Sequence, residues 1–130
     1  MIAIDTSAVL AIVLREVDSP IFLAALLSAD TCIMGATNLL EARMVLHGRD
    51  PANLPDLDAF MKQVPIRIEP VTEIQSDLAF AAFRRFGKGT GHPAGLNFGD
   101  CFAYALARAQ ACPLLFKGND FGHTDIVPAI

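Results

Sequence analysis

The chain of 130 residues has few charged side chains, no tryptophan and one tyrosine. Charged residues make up 18% of it against 53% hydrophobic residues, and this balance excludes general disorder. No apolar run approaches the ~20 residues that a membrane-spanning helix needs. No basic leader precedes the first apolar segment, so we expect no cleaved signal peptide and a cytoplasmic protein. The length predicts a single domain over residues 1–130 with one substantial core.

Cysteine is also scarce, and the three cysteines follow neither the spacing of a disulfide framework nor that of a zinc site. Cys32, Cys101 and Cys112 each lie among apolar residues. We therefore interpret them as small core residues of a protein in a reducing compartment.

Negative charge is unevenly distributed along the chain. The formal net charge of −4 argues mildly against nucleic-acid binding. However, no Asp or Glu lies between residues 77 and 100, and Arg84, Arg85 and Lys88 all fall in that interval. A local basic patch can bind a phosphate backbone even in an acidic domain. The alternative is a solvated helix end.

Short apolar runs alternate with helical patterns along the whole chain. Strands are predicted at 1–4, 31–34, 66–68 and 113–116, with 125–127 as a candidate edge strand. Helices are predicted at 8–14, 21–27, 39–46, 56–63, 71–86 and 97–110, the first three entered through Thr6-Ser7, Ser19-Pro20 and Thr37-Asn38. The glycine-rich segment 87–95 is predicted to be a mobile loop. This alternation predicts an α/β fold of three layers, α/β/α, around a mainly parallel sheet of four to five short strands.

Four acidic residues stand beside apolar segments: Asp5, Glu41, Asp100 and Asp120. A carboxylate next to buried surface is costly unless it is paired, hydrogen-bonded or bound to a metal. Asp5 and Asp120 follow predicted strands, at the rim where parallel sheets bind ligands. Converging carboxylates repel one another unless a cation neutralises them, and ligand sets made only of oxygen suit Mg²⁺ or Mn²⁺. We therefore predict a divalent metal site of the kind that acts on phosphates.

Each acid also has a purely structural interpretation. Asp5 can cap a helix, Asp100 can be a first-turn residue favoured by the helix dipole, and Asp120 can belong to a Gly-Asn-Asp turn. Glu41 is harder to explain in this way. An ion pair with Arg43 is disfavoured because i,i+2 side chains on a helix do not face each other.

Four segments carry a resemblance to a known family: Ile4–Ala8, the helix around Glu41, Leu96–Cys101 and Leu114–Phe121. In this order and spacing they resemble the PIN-domain ribonucleases, and most closely the VapC toxins of prokaryotic toxin–antitoxin pairs, over essentially the whole chain. The resemblance implies a three-layer PIN-like fold, a homodimer and Mg²⁺- or Mn²⁺-dependent endonuclease cleavage of RNA. It also implies inhibition by a cognate VapB-like antitoxin.

The resemblance also assigns roles by position. It implies Asp5, Glu41 and Asp100 as principal catalytic acids and Asp120 as a fourth. Asp5 and Asp100 would be the direct metal ligands, with Glu41 and Asp120 as further candidates for one ion or two. Relatives often have two acids where this chain has Asn119-Asp120, so either residue could face the metal.

Supporting roles fall to hydroxyl, amide and basic residues. The candidates for orienting a ligand or capping a helix are Thr6, Ser7, Asn97 and Asn119. The candidates for contacting the RNA backbone are Arg84, Arg85, Lys88 and Lys117. No histidine is required, so His47, His92 and His123 are interpreted as surface or loop residues, and the role of the tail segment 123–125 is left open.

Two other functions stay open at this point. A metal-dependent phosphatase of the aspartyl-phosphate type needs two aspartates in a D-x-D arrangement, whereas Asp5 is followed by Thr6-Ser7. A non-catalytic interaction module on the PIN fold is disfavoured because all four acids are present. The high apolar fraction independently indicates a surface covered by a second copy or another protein.

Overall fold

A computed structural model describes residues 1–130, which form four strands and six α-helices. In chain order they are β1 (Ile2–Ile4), α1 (Thr6–Val13), α2 (Ser19–Ser28), β2 (Cys32–Gly35), α3 (Ala36–Arg49), α4 (Leu54–Gln63), β3 (Ile66–Glu69), α5 (Glu73–Phe86), α6 (Phe98–Ala109) and β4 (Leu114–Leu115). Short 3₁₀ turns lie at Pro51–Asn53 and Phe121–His123. None of the helices is both long and apolar enough to cross a membrane.

The four strands form one sheet in the order β3-β2-β1-β4, and every pairing is parallel. β1 is central, with Ala3 opposite Ile33 on one side and Leu114 on the other. All strands therefore end at the same rim. The predicted parallel α/β sheet is confirmed.

Side chains of the sheet alternate between two buried layers, as the period of a strand requires. Ala3, Ile33 and Leu114 belong to a buried cluster with α5 and α6. Ile4, Met34 and Leu115 belong to a second cluster, with residues of α1 to α4. Helices thus cover both faces, and the predicted three-layer α/β/α arrangement is confirmed.

Two predicted helix caps are wrong, and these helices begin two and three residues earlier than predicted. α1 begins at Thr6 with Asp5 as its N-cap, whereas Thr6-Ser7 was predicted as the entry. α3 begins at Ala36 with Gly35 at the N-cap, so Thr37-Asn38 does not cap it. The reason is that β2 runs into α3 without an intervening residue, and this places Asn38 inside the helix, fully buried.

The predicted edge strand at 125–127 does not form. A single parallel bridge joins Leu114 to Pro128 instead, with Leu114 N donating to Val127 O at 2.9 Å and Ala129 N donating to Leu114 O at 2.9 Å. β4 has only two residues, so it offers a short edge for a further strand.

The segment 87–95 is a loop, as predicted, and is closed at its base. Lys88 N donates to Leu96 O at 2.8 Å and Leu96 N donates to Phe86 O at 2.9 Å. Its mobility stays a prediction. Of the cysteines, Cys32 and Cys101 are buried as predicted and Cys112 is only half-buried.

Candidate active site

Asp5 lies at the carboxyl end of β1 and is almost completely buried, with 2% of its surface exposed. Its Oδ2 accepts hydrogen bonds from Ser7 N at 3.0 Å and Ser7 Oγ at 2.5 Å. Its Oδ1 is buried and has no hydrogen-bond partner. Burial raises the pKa of Asp5 to about 6, with a smaller contribution from the charge of Glu41 and despite the bonds to Ser7. The fold therefore holds one oxygen in place and leaves the other unsatisfied.

Asp100 is the third residue of α6 and shares a capping box with Asn97. Asp100 Oδ2 accepts from Asn97 N at 3.0 Å, and Asn97 Oδ1 accepts from Asp100 N at 2.9 Å. Burial raises the pKa of Asp100 to about 7, and the charges of Asp5, Asp120 and Glu41 raise it further against the bond to Asn97. Asp100 is thus a first-turn residue of its helix, as predicted, and it also lies close enough to the other three acids to be affected by their charges.

Glu41 is half-buried on α3 and takes part in no ion pair with Arg43 or any other residue. Its carboxylate lies against Gly99, where an added Cβ would overlap both carboxylate oxygens. Its charge contributes to the raised pKa of both Asp5 and Asp100. A larger residue at position 99 would therefore displace the Glu41 carboxylate from its present place, and sequence reasoning missed this role of Gly99.

Asp120 is exposed at the start of the 3₁₀ turn that follows β4, and its side chain caps nothing. Its charge acts on Asp100, which places it at the same rim of the sheet. Its neighbour Asn119 is exposed as well, and its carbonyl accepts from Gly122 N at 3.2 Å. All four predicted acids thus meet at one rim. As the side chains stand, no three of them are close enough to form a ready-made metal site.

The two hydroxyl residues after Asp5 point in different directions. Ser7 Oγ donates to Asp5 and accepts from Lys117 N at 2.9 Å, so it links the ends of β1 and β4. Thr6 Oγ1 donates to Asn38 O at 3.2 Å and is buried. Of the two hydroxyl groups, only that of Ser7 contacts a site acid.

Asn38 is the second residue that sequence reasoning missed. Its Nδ2 donates to Thr6 Oγ1 at 3.3 Å and to Gly99 O at 3.1 Å. The available signal was its spacing, because a residue three positions before Glu41 lies on the same helix face.

A family model for the PIN domain matches residues 2–127 of the chain. The chain belongs to the PIN domain family. VapC ribonuclease Mb0625 of Mycobacterium bovis and ribonuclease VapC28 of Mycobacterium tuberculosis are each 48% identical to it over 128 residues, which cover 98% of this chain and 96% of theirs. Ribonuclease VapC42 of Mycobacterium tuberculosis is 41% identical over 127 residues, 97% of either chain. The predicted resemblance to VapC-type PIN domains is confirmed.

A solved structure has the same fold. The crystal structure of VapC20 of Mycobacterium tuberculosis, described as a toxin that cleaves the sarcin-ricin loop, superimposes with a TM-score of 0.78. The match covers 98% of this chain and 97% of that one at 18% sequence identity. This likeness supports the PIN fold itself.

The four basic candidates of this PIN domain differ in whether an acidic side chain already pairs with them. Lys117 Nζ is bonded to the carboxylates of Glu16 and Asp18, the latter at 3.1 Å. Arg85 Nη1 donates to an Asp125 oxygen at 3.3 Å. Arg84 and Lys88 have no acidic partner.

Arg84 and Lys88 lie beside an aromatic groove between α5 and the start of α6. The Arg84 guanidinium is 5.8 Å from the centre of the Phe80 ring, and Lys88 lines the groove. The groove is lined by the aromatic residues Phe80, Phe83, Phe98 and Phe102. Its lining also includes Asn97, which caps the helix of Asp100.

The histidines stand apart from the acids of this PIN domain. His92 packs edge-on against Phe86 with 5.0 Å between ring centres, and its Nδ1 accepts from Ala94 N at 3.1 Å. His47 and His123 are exposed. None of the three forms a hydrogen bond or ion pair with a site acid.

Proposed function

We propose that the chain is a metal-dependent endoribonuclease and the toxin of a VapBC-type toxin–antitoxin pair. It hydrolyses RNA phosphodiester bonds with Mg²⁺ or Mn²⁺ held by Asp5 and Asp100, and Glu41 and Asp120 serve as further ligands. The observation that carries this proposal is the buried Asp5 carboxylate with one unpartnered oxygen, close enough to Glu41 and Asp100 for their charges to interact.

The residues at this rim fit a hard divalent cation. All four side chains offer carboxylate oxygens, which Mg²⁺ and Mn²⁺ prefer. Burial, together with their mutual repulsion, raises the pKa of Asp5 to about 6 and that of Asp100 to about 7, and the charge of a bound cation would lower both values. Because no three groups converge as the side chains stand, we expect ion binding to draw the carboxylates together.

The chain prepares two of these ligands in the same way. Ser7 holds one oxygen of Asp5, and Asn97 N holds one oxygen of Asp100. In each case the second oxygen accepts no hydrogen bond and stays available. The four carboxylates would hold the ion at the rim, where the RNA backbone would lie. A bound ion would supply Lewis-acid polarisation of a phosphoryl oxygen and activation of a water molecule.

The partners follow from the same proposal. The relatives named VapC support a VapB-like antitoxin as the cognate inhibitor and RNA as the substrate. A homodimer is supported by exposed apolar surface outside the aromatic groove, because Leu27 is 68% and Met44 65% exposed. The phosphatase alternative loses support, since the position of its second aspartate holds Ser7, which is bonded to Asp5.

Cleavage of RNA by the purified chain, free of any partner, tests the proposal. We expect cleavage of total RNA in Mg²⁺ and a loss of at least ~100-fold in Asp5→Asn and in Asp100→Asn, since each variant removes a charged ligand. Asp77→Asn, an exposed acid on α5, is the matched control and should cleave like the parent. Unchanged cleavage by both site variants would overturn the metal site. Cleavage that persists in excess EDTA would do the same.

A further inference from the structure

The side chain of Asn38 is fully buried where three helices meet beneath the acids. Asn38 itself lies on α3, and its Nδ2 donates to Thr6 Oγ1 on α1 at 3.3 Å and to Gly99 O on α6 at 3.1 Å. Each of these positions adjoins a site acid. Thr6 follows Asp5, Gly99 precedes Asp100, and Asn38 lies one turn before Glu41. A single amide therefore joins the three backbone segments that carry three of the acids.

The hydrogen bonds of this amide leave no freedom in its orientation. Gly99 O can only accept, so the amide nitrogen must face it. The Thr6 hydroxyl donates its one proton to the backbone carbonyl of Asn38 at 3.2 Å and accepts the other side-chain amide proton in return. Both N–H groups are thus used, and the pairing of Thr6 with Asn38 is reciprocal. An aspartate in this place would supply neither donor.

The buried amide of Asn38 has an energetic cost, because one of its polar atoms is left without a hydrogen bond. Asn38 Oδ1 is buried and has no protein partner, although buried polar atoms are nearly always hydrogen-bonded. A Cβ added at Gly35 would lie 3.1 Å from this oxygen, so the amide is closely enclosed. An apolar side chain of similar size would avoid the unsatisfied oxygen. The contribution of Asn38 is therefore the pair of bonds that its nitrogen donates.

We infer that Asn38 is a positioning residue that sets the spacing of Asp5, Glu41 and Asp100 for a divalent cation. This inference rests on the proposed function. Metal affinity depends closely on ligand placement, and loss of a group that orients the ligands typically weakens it by about 10- to 100-fold. Asn38 contacts no substrate and acts only through the helices that it joins.

Binding of Mn²⁺, measured by titration calorimetry, tests this role without relying on activity. We expect Asn38→Ala to weaken Mn²⁺ binding by about 10- to 100-fold. Thr6→Val should weaken it less because the bond to Gly99 remains, and Thr6→Ser should bind like the parent because it keeps the hydroxyl. Leu46→Val, also buried on α3 but outside the amide contacts, is the control that lowers the melting temperature without changing affinity.

The outcomes distinguish failure of the positioning role of Asn38 from failure of the proposed function. If the folded Asn38→Ala variant binds Mn²⁺ as tightly as the parent, Asn38 is merely structural and the inference is overturned. If Asn38→Ala does not fold, the Thr6→Val and Thr6→Ser pair decides, because equal affinity in those two overturns it as well. If the parent itself binds no Mn²⁺, the proposed function fails and the inference fails with it.

Discussion

Asp5 and Asp100 retain their protons at a pH where exposed aspartates have lost them, because their pKa values are raised to about 6 and about 7, chiefly by burial. In the unfolded chain both values return to about 3.9. Between about pH 4 and about pH 7 the folded chain therefore binds more protons than the unfolded one. Stability consequently falls as the pH rises through this window.

For the metal-free protein we predict a falling melting temperature between about pH 4 and about pH 7. Asp5→Asn should flatten part of this slope, since asparagine caps a helix as well as aspartate does and carries no charge to bury. At about pH 8 the variant should melt roughly 5 °C higher than the parent. Differential scanning calorimetry in EDTA measures both effects.

Addition of Mn²⁺ provides the control for this prediction. Ligand binding to the folded state stabilises the parent, whereas Asp5→Asn has lost a ligand and should gain little. The order of the two melting temperatures should then reverse. A parent whose melting temperature in EDTA does not change with pH would contradict the cost assigned to the buried Asp5 carboxylate.

At the scale of single residues, the four acids could be predicted from the sequence, but the residues that position them could not. Carboxylates beside apolar runs are visible in a sequence because they break the pattern. Asn38 was interpreted as a cap because Thr-Asn before apolar residues is typical of a helix start. The role of Gly99 depends on the approach of Glu41 from another helix, and no local pattern reports such a contact.

Among the elements, the segment after β4 is joined to α5 and α6 by polar contacts of the Asp125 side chain. Asp125 Oδ1 accepts from the Tyr104 hydroxyl at 2.6 Å, and Asp125 Oδ2 lies 3.3 Å from Arg85 and 4.0 Å from Arg108. Burial and the bond to Asp125 raise the pKa of Tyr104 to about 12. The contact fastens the segment that carries Asp120 onto α5 and α6.

We predict that Asp125→Ala lowers the free energy of unfolding by about 1–3 kcal/mol, because the buried Tyr104 hydroxyl loses its acceptor. Urea denaturation measures the change. Asp77→Ala, an exposed acid on α5, should stay within about 0.5 kcal/mol of the parent. The double variant with Tyr104→Phe should lose less than the sum of the two single losses. An unchanged urea midpoint for Asp125→Ala would show that the contact does not secure the segment.

The regular elements were predictable because apolar periodicity and the alternation of short runs with helices are local signals. All four strands and six helices occur near their predicted places, with errors confined to their ends. The edge strand at 125–127 failed for a different reason. The course of that segment is set by side-chain contacts with α5 and α6 and by the two-residue length of β4, and none of these is encoded locally.

At the scale of the whole molecule, the basic candidates for contacting RNA differ in whether their charges are free. Lys117 forms ion pairs with Glu16 and Asp18, so these carboxylates already neutralise its charge. Arg84 and Lys88 keep free charges beside the aromatic groove that Asn97 helps to line. This contrast divides the basic candidates, which composition alone treated as equivalent.

We therefore predict that Arg84→Ala and Lys88→Ala each reduce the salt dependence of RNA binding, with the slope of log affinity against log salt falling by about 0.7 for each lost phosphate contact on single-stranded RNA. Binding is measured in the Asp100→Asn background, where the RNA stays intact. Lys62→Ala, on α4 in the opposite helical layer, is the control and should leave the slope unchanged.

Lys117→Ala distinguishes a paired charge from a free one. The slope for this variant should match that of the Asp100→Asn parent. Lys117 would have to leave Glu16 and Asp18 to reach a phosphate, and the loss of those ion pairs would offset the gain, so we expect it to make no phosphate contact. If Lys117→Ala lowers the slope as much as Arg84→Ala does, those ion pairs open when RNA binds. If neither Arg84→Ala nor Lys88→Ala changes it, the backbone reaches the acids from another side, and the groove between α5 and α6 is free for a protein partner.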